Sequence, residues 1–323
     1  MFVWIPRFEY KINSSSSTID TNIVTDITVR STDGYIIHPA FTNNIELGGW
    51  DKEITGIWVG KFETGCETST NGTSWYSRNN NSSTLGNVAT TNAGNTGSTQ
   101  IRAIVKPGMS AWRYINAGNA YENAYNFKRS LDSHLIKNSE WGAVAYFTHG
   151  KYGIGINNVI TNSNSSAYTG GGSGNSYITA NTTQSTTGNI YGIYDLSGGM
   201  GEYVASYNKS YSGTYYTNAS YLSAKSTTFA SNGGTSTKYA TAYTNATTTY
   251  NYNVSDMSKK GDALKEVWKN TNYSWFNDYI YYIDLTYPIL CRGLNTGGGL
   301  LASTREAGYY VSSIGYRIVC INE

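Results

Sequence analysis

Residues 190–203 constrain the fold of this chain more than any other stretch, because aromatic and β-branched residues flank a cluster of glycines. The stretch reads Ile-Tyr-Gly-Ile-Tyr-Asp-Leu-Ser-Gly-Gly-Met-Gly-Glu-Tyr. Glycine adopts the positive φ angles of tight turns at little steric cost, whereas aromatic and β-branched residues favour strands. The pattern therefore predicts a strand, a glycine turn and a second strand.

Hydrophobic periodicity predicts the other main elements. Residues 1–12 and 54–64 alternate apolar and polar side chains, as half-buried strands do, and we expect them to pair near the centre of a sheet. Apolar residues recur at three- and four-residue steps over residues 110–131, which is the period of an amphipathic helix. Residues 135–147 predict a second helix.

Two shorter features complete this outline. Asp132 or Ser133 could cap the second predicted helix. Residues 262–283 begin as a short helix and continue into an aromatic cluster that ends at Tyr282. Two helices and several strands indicate an α+β fold.

The polar composition predicts long hydrogen-bonding loops. Charged residues make up 14% of the 323 residues, whereas Tyr (30) and Gly (35) are abundant. Asn, Ser, Thr and Gly crowd residues 66–100, 161–188 and 206–253, which predicts loop insertions in these ranges. Antibody loops use Tyr, Ser, Gly and Asn for adaptable contacts, so the composition favours a wet binding surface.

Charge and hydropathy argue against two classes of partner. The formal net charge is +2 and no run of basic residues is longer than Lys259-Lys260, so the basic footprint that binds nucleic acid is missing. The sequence contains nothing close to the roughly 18 to 20 consecutive apolar residues of a membrane span. The first residues also lack the charged and apolar regions of a signal peptide. We expect no nucleic-acid partner and no membrane span.

Blocks along the chain resemble, in family order, the formylglycine-generating enzyme family, a branch of the C-type lectin fold. Residues 190–203 are similar to that family's Gly-Leu-Tyr-Asp-Met-x-Gly-Asn-x-x-Glu-Trp element. Residues 4–8 and 57–63 resemble its first strands, and residues 138–146 its Glu-Ala-Glu-Trp-Glu-Tyr-Ala-Ala helix. Residues 315–319 resemble its closing Gly-Phe-Arg-x-Val strand. The resemblance implies a twisted antiparallel sheet with two main helices and long polar loops.

The order of the blocks is more similar still to a non-enzymatic branch, the variable proteins of gut bacteria and their phages that retroelements diversify. In this branch a block like residues 51–63 precedes one like residues 135–141. The resemblance implies a single C-type lectin-like domain over residues 1–323 that binds a protein or glycan receptor on a cell surface. Such an adhesin or phage receptor-binding protein would be extracellular, on a bacterial surface or a phage virion.

Residues 292–319 resemble the variable region of these proteins, in which an Arg-Gly start and an aromatic-Arg-x-Val end flank a ligand-facing stretch. Adenine-directed mutation of Asn codons reaches every residue type in this segment except Glu306, which is compatible with diversification. An ordinary pair of strands with a glycine loop stays open as the alternative. The implied ligand-binding residues are Leu294, Asn295, Thr296, Ser303, Thr304, Arg305, Tyr309, Tyr310, Ser312 and Ser313.

The enzymes of the family hold copper with two cysteines close together near the C terminus, and this chain lacks such a pair. Cys66, Cys291 and Cys320 lie far apart in sequence, which supports neither a disulfide scaffold nor a zinc site. A bridge between Cys291 and Cys320 stays open. We expect no catalytic residues, and the three histidines match no hydrolase or zinc-protease pattern.

Calcium is the one cofactor that the resemblance leaves open. Glu202 takes the place of a family Glu that helps to hold a calcium ion, although Gly199 replaces the Asn of that motif, so one side-chain oxygen is missing. Two other functions also stay open. One is a copper- or calcium-dependent enzyme of the same fold, and the other is a structural phage or pilus subunit whose aromatic loops serve assembly.

Overall fold

The computed structural model describes residues 1–77, 95–96, 99–209, 235–244, 259–270, 273–294 and 298–321. These residues form a mixed fold of mostly antiparallel sheets with few helices, in keeping with the predicted α+β class. The helices among them are α1 (Ala117–Phe127), α2 (Asn138–His149) and the single turn α3 (Ser176–Thr179).

Short strands make up most of the regular structure. The strands of the described residues are β1 (Phe2–Pro6), β2 (Phe8–Asn13), β3 (Thr18–Ile23), β4 (Ile36–Ile37), β5 (Gly56–Gly60), β6 (Gly65–Ser69), β7 (Tyr76–Ser77), β8 (Asn95–Thr96), β9 (Thr99–Ile104), β10 (His134–Leu135), β11 (Gly201–Asn208), β12 (Thr241–Tyr243), β13 (Trp268–Asn270), β14 (Tyr273–Ser274), β15 (Ile289–Arg292), β16 (Ser303–Glu306), β17 (Ile314–Tyr316) and β18 (Ile318–Cys320).

The first sheet brings both ends of the described chain together. Its strand order is β1-β5-β18-β10, and all its pairs are antiparallel, with Trp4 opposite Trp58 and Cys320 also opposite Trp58. The predicted pairing of residues 1–12 with residues 54–64 is confirmed through β1 and β5. The central position expected for both segments is correct for β5 but not for β1, which lies at the edge of the sheet.

The second sheet carries the C-terminal segment. Its order is β12-β11-β15-β16, and β17 pairs with β11 in parallel. Because β17 belongs to this sheet and β18 to the first one, the chain crosses between the sheets at Arg317. Arg317 is therefore positioned between the two sheets, where its side chain can contact both.

The predicted insertion at residues 66–100 contains strands, which corrects the expectation of a turn-rich loop. β6 pairs with β7 and β9, and β8 pairs with β9. Cys66, Ile101 and Ala103 are buried in the core, so a few alternating apolar side chains outweigh the polar composition. Residues 78–94 and 97–98 of this insertion lie outside the described residues.

The other two predicted insertions differ from each other. Residues 161–188 form turns around α3, whereas residues 206–208 and 241–243 of the third range belong to β11 and β12. The parallel pair between these two strands is hydrogen-bonded, which corrects the loop prediction at both places. Residues 210–234 and 245–258 lie outside the described part of the chain.

Both main helices are shorter at their start than predicted. Tyr114 has a φ of 57°, which no right-handed helix tolerates, and the Asn116 side chain accepts the Asn119 N–H at 2.7 Å, so α1 begins at Ala117. At the second helix the Glu140 carboxylate accepts the Lys137 N–H at 2.9 Å. The predicted caps at residues 132–133 are wrong, because β10 follows them instead.

Two further local predictions, a strand at the start of residues 190–203 and a helix near residue 263, are wrong because the backbone there has positive φ angles. Residues 190–200 contain no strand, because Asp195 has a φ of 66°; only the second half of the stretch, β11, is a strand. The turn itself is present, with φ of 79° at Gly198 and 70° at Gly199. Near residue 263 the predicted helix reduces to a 3-10 turn, Lys265–Val267, because Ala263 has a φ of 53°.

The core lies in two clusters of buried apolar side chains. One surrounds Trp141 and Val144 of α2, and the other contains Tyr203 and Tyr316 of the second sheet. The three cysteines are buried and none forms a disulfide, so the bridge considered between Cys291 and Cys320 is not formed. Among the described residues, no helix combines the length and the apolar character needed to cross a membrane.

Candidate functional site

A buried ion pair connects the first sheet, which contains β5 and β18, to β11 of the second sheet. The Arg317 and Glu202 side chains are both fully buried, with Arg317 Nε 3.0 Å from Glu202 Oε2 and Nη2 2.5 Å from Oε1. Arg317 Nη1 also donates to the Gly60 carbonyl at 2.7 Å, and Nη2 to the Tyr194 carbonyl at 3.0 Å. One guanidinium thus ties β5 to β11 and to the turn before β11.

Two more buried carboxylates lie close to this ion pair. Burial raises the pKa of Glu202 to about 7 even though Arg317 lowers it. Burial and the nearby charge of Asp195 raise the pKa of Glu63 well above its ordinary value, and burial also raises that of Asp195. The group contains more carboxylates than cations, so folding favours the protonated form of at least one of them.

These contacts leave Glu202 little capacity for a cation. Both of its carboxylate oxygens accept hydrogen bonds from Arg317, and Glu63 Oε1 accepts the Met200 N–H at 2.7 Å. In the described part of the chain, no group of three or more His, Cys, Asp or Glu residues could hold a metal ion. A Cβ at Gly199 would lie 2.8 Å from Glu63 Oε1, so tight packing against that carboxylate favours glycine there. The calcium site at Glu202 stays a prediction.

The loop at residues 308–313, called here the tyrosine loop, is held by its backbone. It follows β16 and leads into β17. Four of its carbonyl groups accept hydrogen bonds from the scaffold: Gly308 from the Ala117 N–H (2.8 Å), Tyr309 from the Tyr203 hydroxyl (2.6 Å), Val311 from the Tyr114 N–H (3.0 Å) and Ser313 from the Gly201 N–H (2.9 Å). The loop is thereby fixed to α1, to β11 and to the segment before α1.

The side chains of the tyrosine loop divide into an anchored and an exposed set. Val311 packs against the core cluster of the second sheet. Tyr309 and Tyr310 are 41% and 39% exposed, and Ser312 is exposed, whereas Ser313 is half-buried. A fixed backbone therefore presents two aromatic rings and a hydroxyl at the surface.

Ser303 and Arg305, which were also expected at the ligand surface, point elsewhere. Ser303 is fully buried, and its hydroxyl donates to the Tyr281 carbonyl at 2.9 Å. Arg305 forms an ion pair with Asp284, and its guanidinium lies 5.5 Å from the centre of the Tyr287 ring. The aromatic cluster noted in residues 262–283 was the sequence signal for this environment.

The sheet register separates Arg305 from the tyrosine loop. Tyr203 lies opposite Cys291, and Cys291 lies opposite Thr304, so these three side chains share one face. The next residue, Arg305, must project from the other face. The Tyr203 hydroxyl donates to the Tyr309 carbonyl, so the tyrosine loop lies on the same face of the sheet as Tyr203. The Arg305 side chain is on the opposite face. The structure brings Tyr309, Tyr310 and Ser312 together without Arg305.

The remaining predicted site residues are placed less centrally. Leu294 and Thr304 are half-buried. Asn295 and Thr296 lie outside the described residues. At the start of the segment, buried Arg292 donates from Nη1 to Asn138 Oδ1 at 3.2 Å, so this end is part of the scaffold.

The histidines and cysteines, which are the residue types considered for catalysis, are all buried. His134 Nε2 lies 2.9 Å from Glu140 Oε2 inside the protein, and burial lowers the pKa of His38 to about 3 and that of His149 to about 4. Burial also raises the pKa of the Cys291 thiol well above its ordinary value and that of Cys320 to about 12. These thiols favour the protonated form, which is a poor nucleophile and metal ligand.

No family model matches the chain, and a search of curated proteins finds no match either.

Proposed function

We propose that this chain is a non-catalytic binding protein with a C-type lectin fold and that the tyrosine loop contacts the ligand. The observation that carries this proposal is the exposure of Tyr309 and Tyr310 on a backbone held by four scaffold hydrogen bonds. A loop that is already ordered loses little conformational entropy when it binds. Tyrosine adds a large amphipathic surface with only two rotatable bonds.

The contrast between the buried ends of segment 292–319 and three exposed residues within it supports the resemblance to retroelement-diversified variable proteins. Arg292 and Arg317, at the two ends of the segment, are fully buried and hydrogen-bonded. Tyr309, Tyr310 and Ser312 between them are exposed, where substitution costs little stability. Such a segment could change its ligand without changing its fold.

The same resemblance is the basis for the proposed partner and the proposed location of the protein. The partner is a protein or glycan receptor on a cell surface, and the chain acts outside the cell on a bacterial surface or a phage virion. The polar, tyrosine-rich composition supports recognition of this kind, because adaptable paratopes share it.

Burial of the cysteines favours binding over the enzymatic alternative. Cys291 lies in β15 of the second sheet and Cys320 in β18 of the first, and neither thiol pairs with another. A copper site of the family's enzymes needs two thiolates side by side, which this arrangement does not offer.

A binding screen with matched variants tests the proposal. Fluorescently labelled protein would be applied to a panel of intact bacterial cells and to a glycan array. We expect saturable binding that the Tyr309→Ala/Tyr310→Ala variant loses and that the Tyr191→Ala variant keeps, because Tyr191 is exposed elsewhere. Equal binding by the double variant would contradict the assignment of the loop.

The screen needs a control for assembly. Size-exclusion chromatography with light scattering would show whether the chain associates through the tyrosine loop. A stable homo-oligomer that Tyr309→Ala/Tyr310→Ala dissociates would favour the structural-subunit alternative over receptor binding.

A further inference from the structure

A groove unrelated to the tyrosine loop lies between two hairpins. The β2–β3 hairpin turns at residues 14–17, and β13 and β14 form the second hairpin. They border a cleft of about 520 Å³, which is within the roughly 300–1,000 Å³ range of small-ligand sites. Its lining includes two tryptophans, two lysines and two serines, namely Trp268, Trp275, Lys265, Lys269, Ser14 and Ser17.

The two tryptophans are fixed in place although both reach the groove. Trp268 and Trp275 are half-buried and pack against the main core cluster. The Trp275 backbone N–H donates to the Val267 carbonyl at 2.8 Å, and Trp268 pairs with Ser274 in the hairpin. The parts of the indole rings that line the cleft are thus rigid aromatic surfaces.

The charged side chains give the groove a positive edge. The carboxylate of Glu266 also lines it and accepts three hydrogen bonds at Oε2, from the hydroxyls of Tyr10 and Tyr146, each at 3.0 Å, and from the Gly261 N–H at 2.6 Å. Lys265 and Lys269 are exposed on either side of that carboxylate along the chain. The lining thus contains two ammonium groups and one carboxylate, and Lys269 Nζ also donates to Asn277 Oδ1 at 3.0 Å. The excess of positive charge in the lining makes an anion the complementary ligand.

We propose that this groove is a second binding site, distinct from the tyrosine loop, and that it takes an acidic saccharide. A pyranose ring has a flat face of C–H groups, which packs on an indole ring, and hydroxyl groups around its edge. Trp268 and Trp275 supply the aromatic surface, and the Ser14 and Ser17 hydroxyls supply hydrogen bonds. Lys265 and Lys269 pair with the sugar carboxylate through charge-assisted hydrogen bonds.

Calorimetric titration with defined sugars tests this proposal. The probes are tetragalacturonate, an alginate tetramer and 3′-sialyllactose, each compared with a neutral counterpart such as the methyl ester of tetragalacturonate. We expect at least one acidic probe to bind, and its neutral form to bind about tenfold more weakly, since one charge-assisted hydrogen bond carries about that much affinity. Failure of all three acidic probes, or equal binding of acid and ester, would overturn the proposal.

Matched variants locate the signal. Lys265→Gln/Lys269→Gln keeps the fold and removes two charges, so we expect binding about tenfold or more weaker. Lys52→Gln/Lys151→Gln removes two charges from exposed lysines outside the groove and should leave binding unchanged. Trp268→Phe/Trp275→Phe should also weaken binding, with melting temperature as the check on folding.

A last comparison separates the two sites. Tyr309→Ala/Tyr310→Ala should leave binding of the acidic saccharide intact, even if the tyrosine loop binds another ligand or none. Loss of saccharide binding in that variant, together with normal binding by Lys265→Gln/Lys269→Gln, would move the saccharide to the tyrosine loop and overturn the groove assignment.

Discussion

Arg317 and Glu202 form a doubly hydrogen-bonded ion pair at the point where the chain passes from one sheet to the other, and both side chains are fully buried. The same guanidinium binds the carbonyl groups of Gly60 and Tyr194. β17 ends one residue before Arg317, and the tyrosine loop leads into β17. The stability of the fold and the position of the proposed ligand surface therefore depend on the same contact.

Arg317→Met should destabilise the protein by about 3–5 kcal/mol, because it leaves the buried Glu202 carboxylate without its partner. Urea unfolding followed by circular dichroism measures this free energy. The matched control is Arg30→Met, whose side chain is 79% exposed and which should stay within about 0.5 kcal/mol of the wild type. Similar stability of the two variants would contradict the role given to Arg317.

The contribution of Glu202 and Glu63 to the free energy of unfolding should fall as pH rises from about 5 to about 7, whereas the lowered pKa values of buried His38 and His149 act in the opposite direction. The folded pKa of Glu202 is about 7, and the ordinary value is 4.5, so in this window the folded state keeps a proton that the unfolded chain has released. The stabilisation is complete below the ordinary value and is lost as pH rises through the folded value. The raised pKa of Glu63 acts in the same direction.

Urea titrations at several pH values would measure this slope, with Glu63→Gln as the comparison. The histidines contribute equally to both proteins, so the difference between the two profiles isolates the carboxylates. Removing one carboxylate from the cluster should make the stability of Glu63→Gln relative to the wild type rise between pH 5 and 7. Parallel profiles would show that the cluster is ionised in the folded state.

Gly142→Ala should destabilise the protein by about 1–3 kcal/mol through overpacking. Intrinsic propensity predicts the opposite sign, since Ala is favoured over Gly by about 1 kcal/mol inside a helix. A Cβ at Gly142 would lie only 1.9 Å from the Gly261 carbonyl oxygen, so α2 could not keep its position. Gly201→Ala is the control, because its nearest neighbour would be 3.5 Å away; equal melting temperatures for the two variants would refute the packing argument.

Much of the fold follows from local pattern. The alternation in residues 1–12 and 54–64 predicts β1 and β5, and the three- and four-residue spacing predicts α1 within 110–131. These elements bury regular stripes of apolar side chains, which periodicity detects. The strands β6 and β9 were missed because only a few buried residues mark them within a polar composition.

The failures within 190–203 and near residue 263 share a physical cause. Asp195 and Ala263 have positive φ angles, which are uncommon for residues other than glycine and which hydrophobic periodicity does not reveal. The Asp195 carboxylate accepts the Gly170 N–H at 2.9 Å and the Asn162 side-chain N–H at 2.9 Å. Contacts between segments distant in sequence therefore decide this conformation.

The candidate site also depends on contacts between distant segments that local sequence patterns do not reveal. The exposure of Tyr309 and Tyr310 agrees with what the sequence pattern requires of a ligand surface. The grouping of Arg305 with them fails because strand alternation and the register of β15 with β16 place Arg305 on the opposite face, beside Asp284. Register depends on the pairing partner and cannot be obtained from one segment alone.

The affinity of Tyr309→Ala/Tyr310→Ala for the cell-surface target found in the binding screen tests the central claim most directly. Interface tyrosines that act as hot spots contribute about 2 kcal/mol or more each, so we predict a loss of at least about thirtyfold if one of the two is a hot spot and on the order of several hundredfold if both are. The free energy of unfolding should stay within about 1 kcal/mol of the wild type, because both side chains are exposed. An affinity within threefold of the wild type in a folded double variant would contradict the claim that the tyrosine loop is the ligand-binding surface.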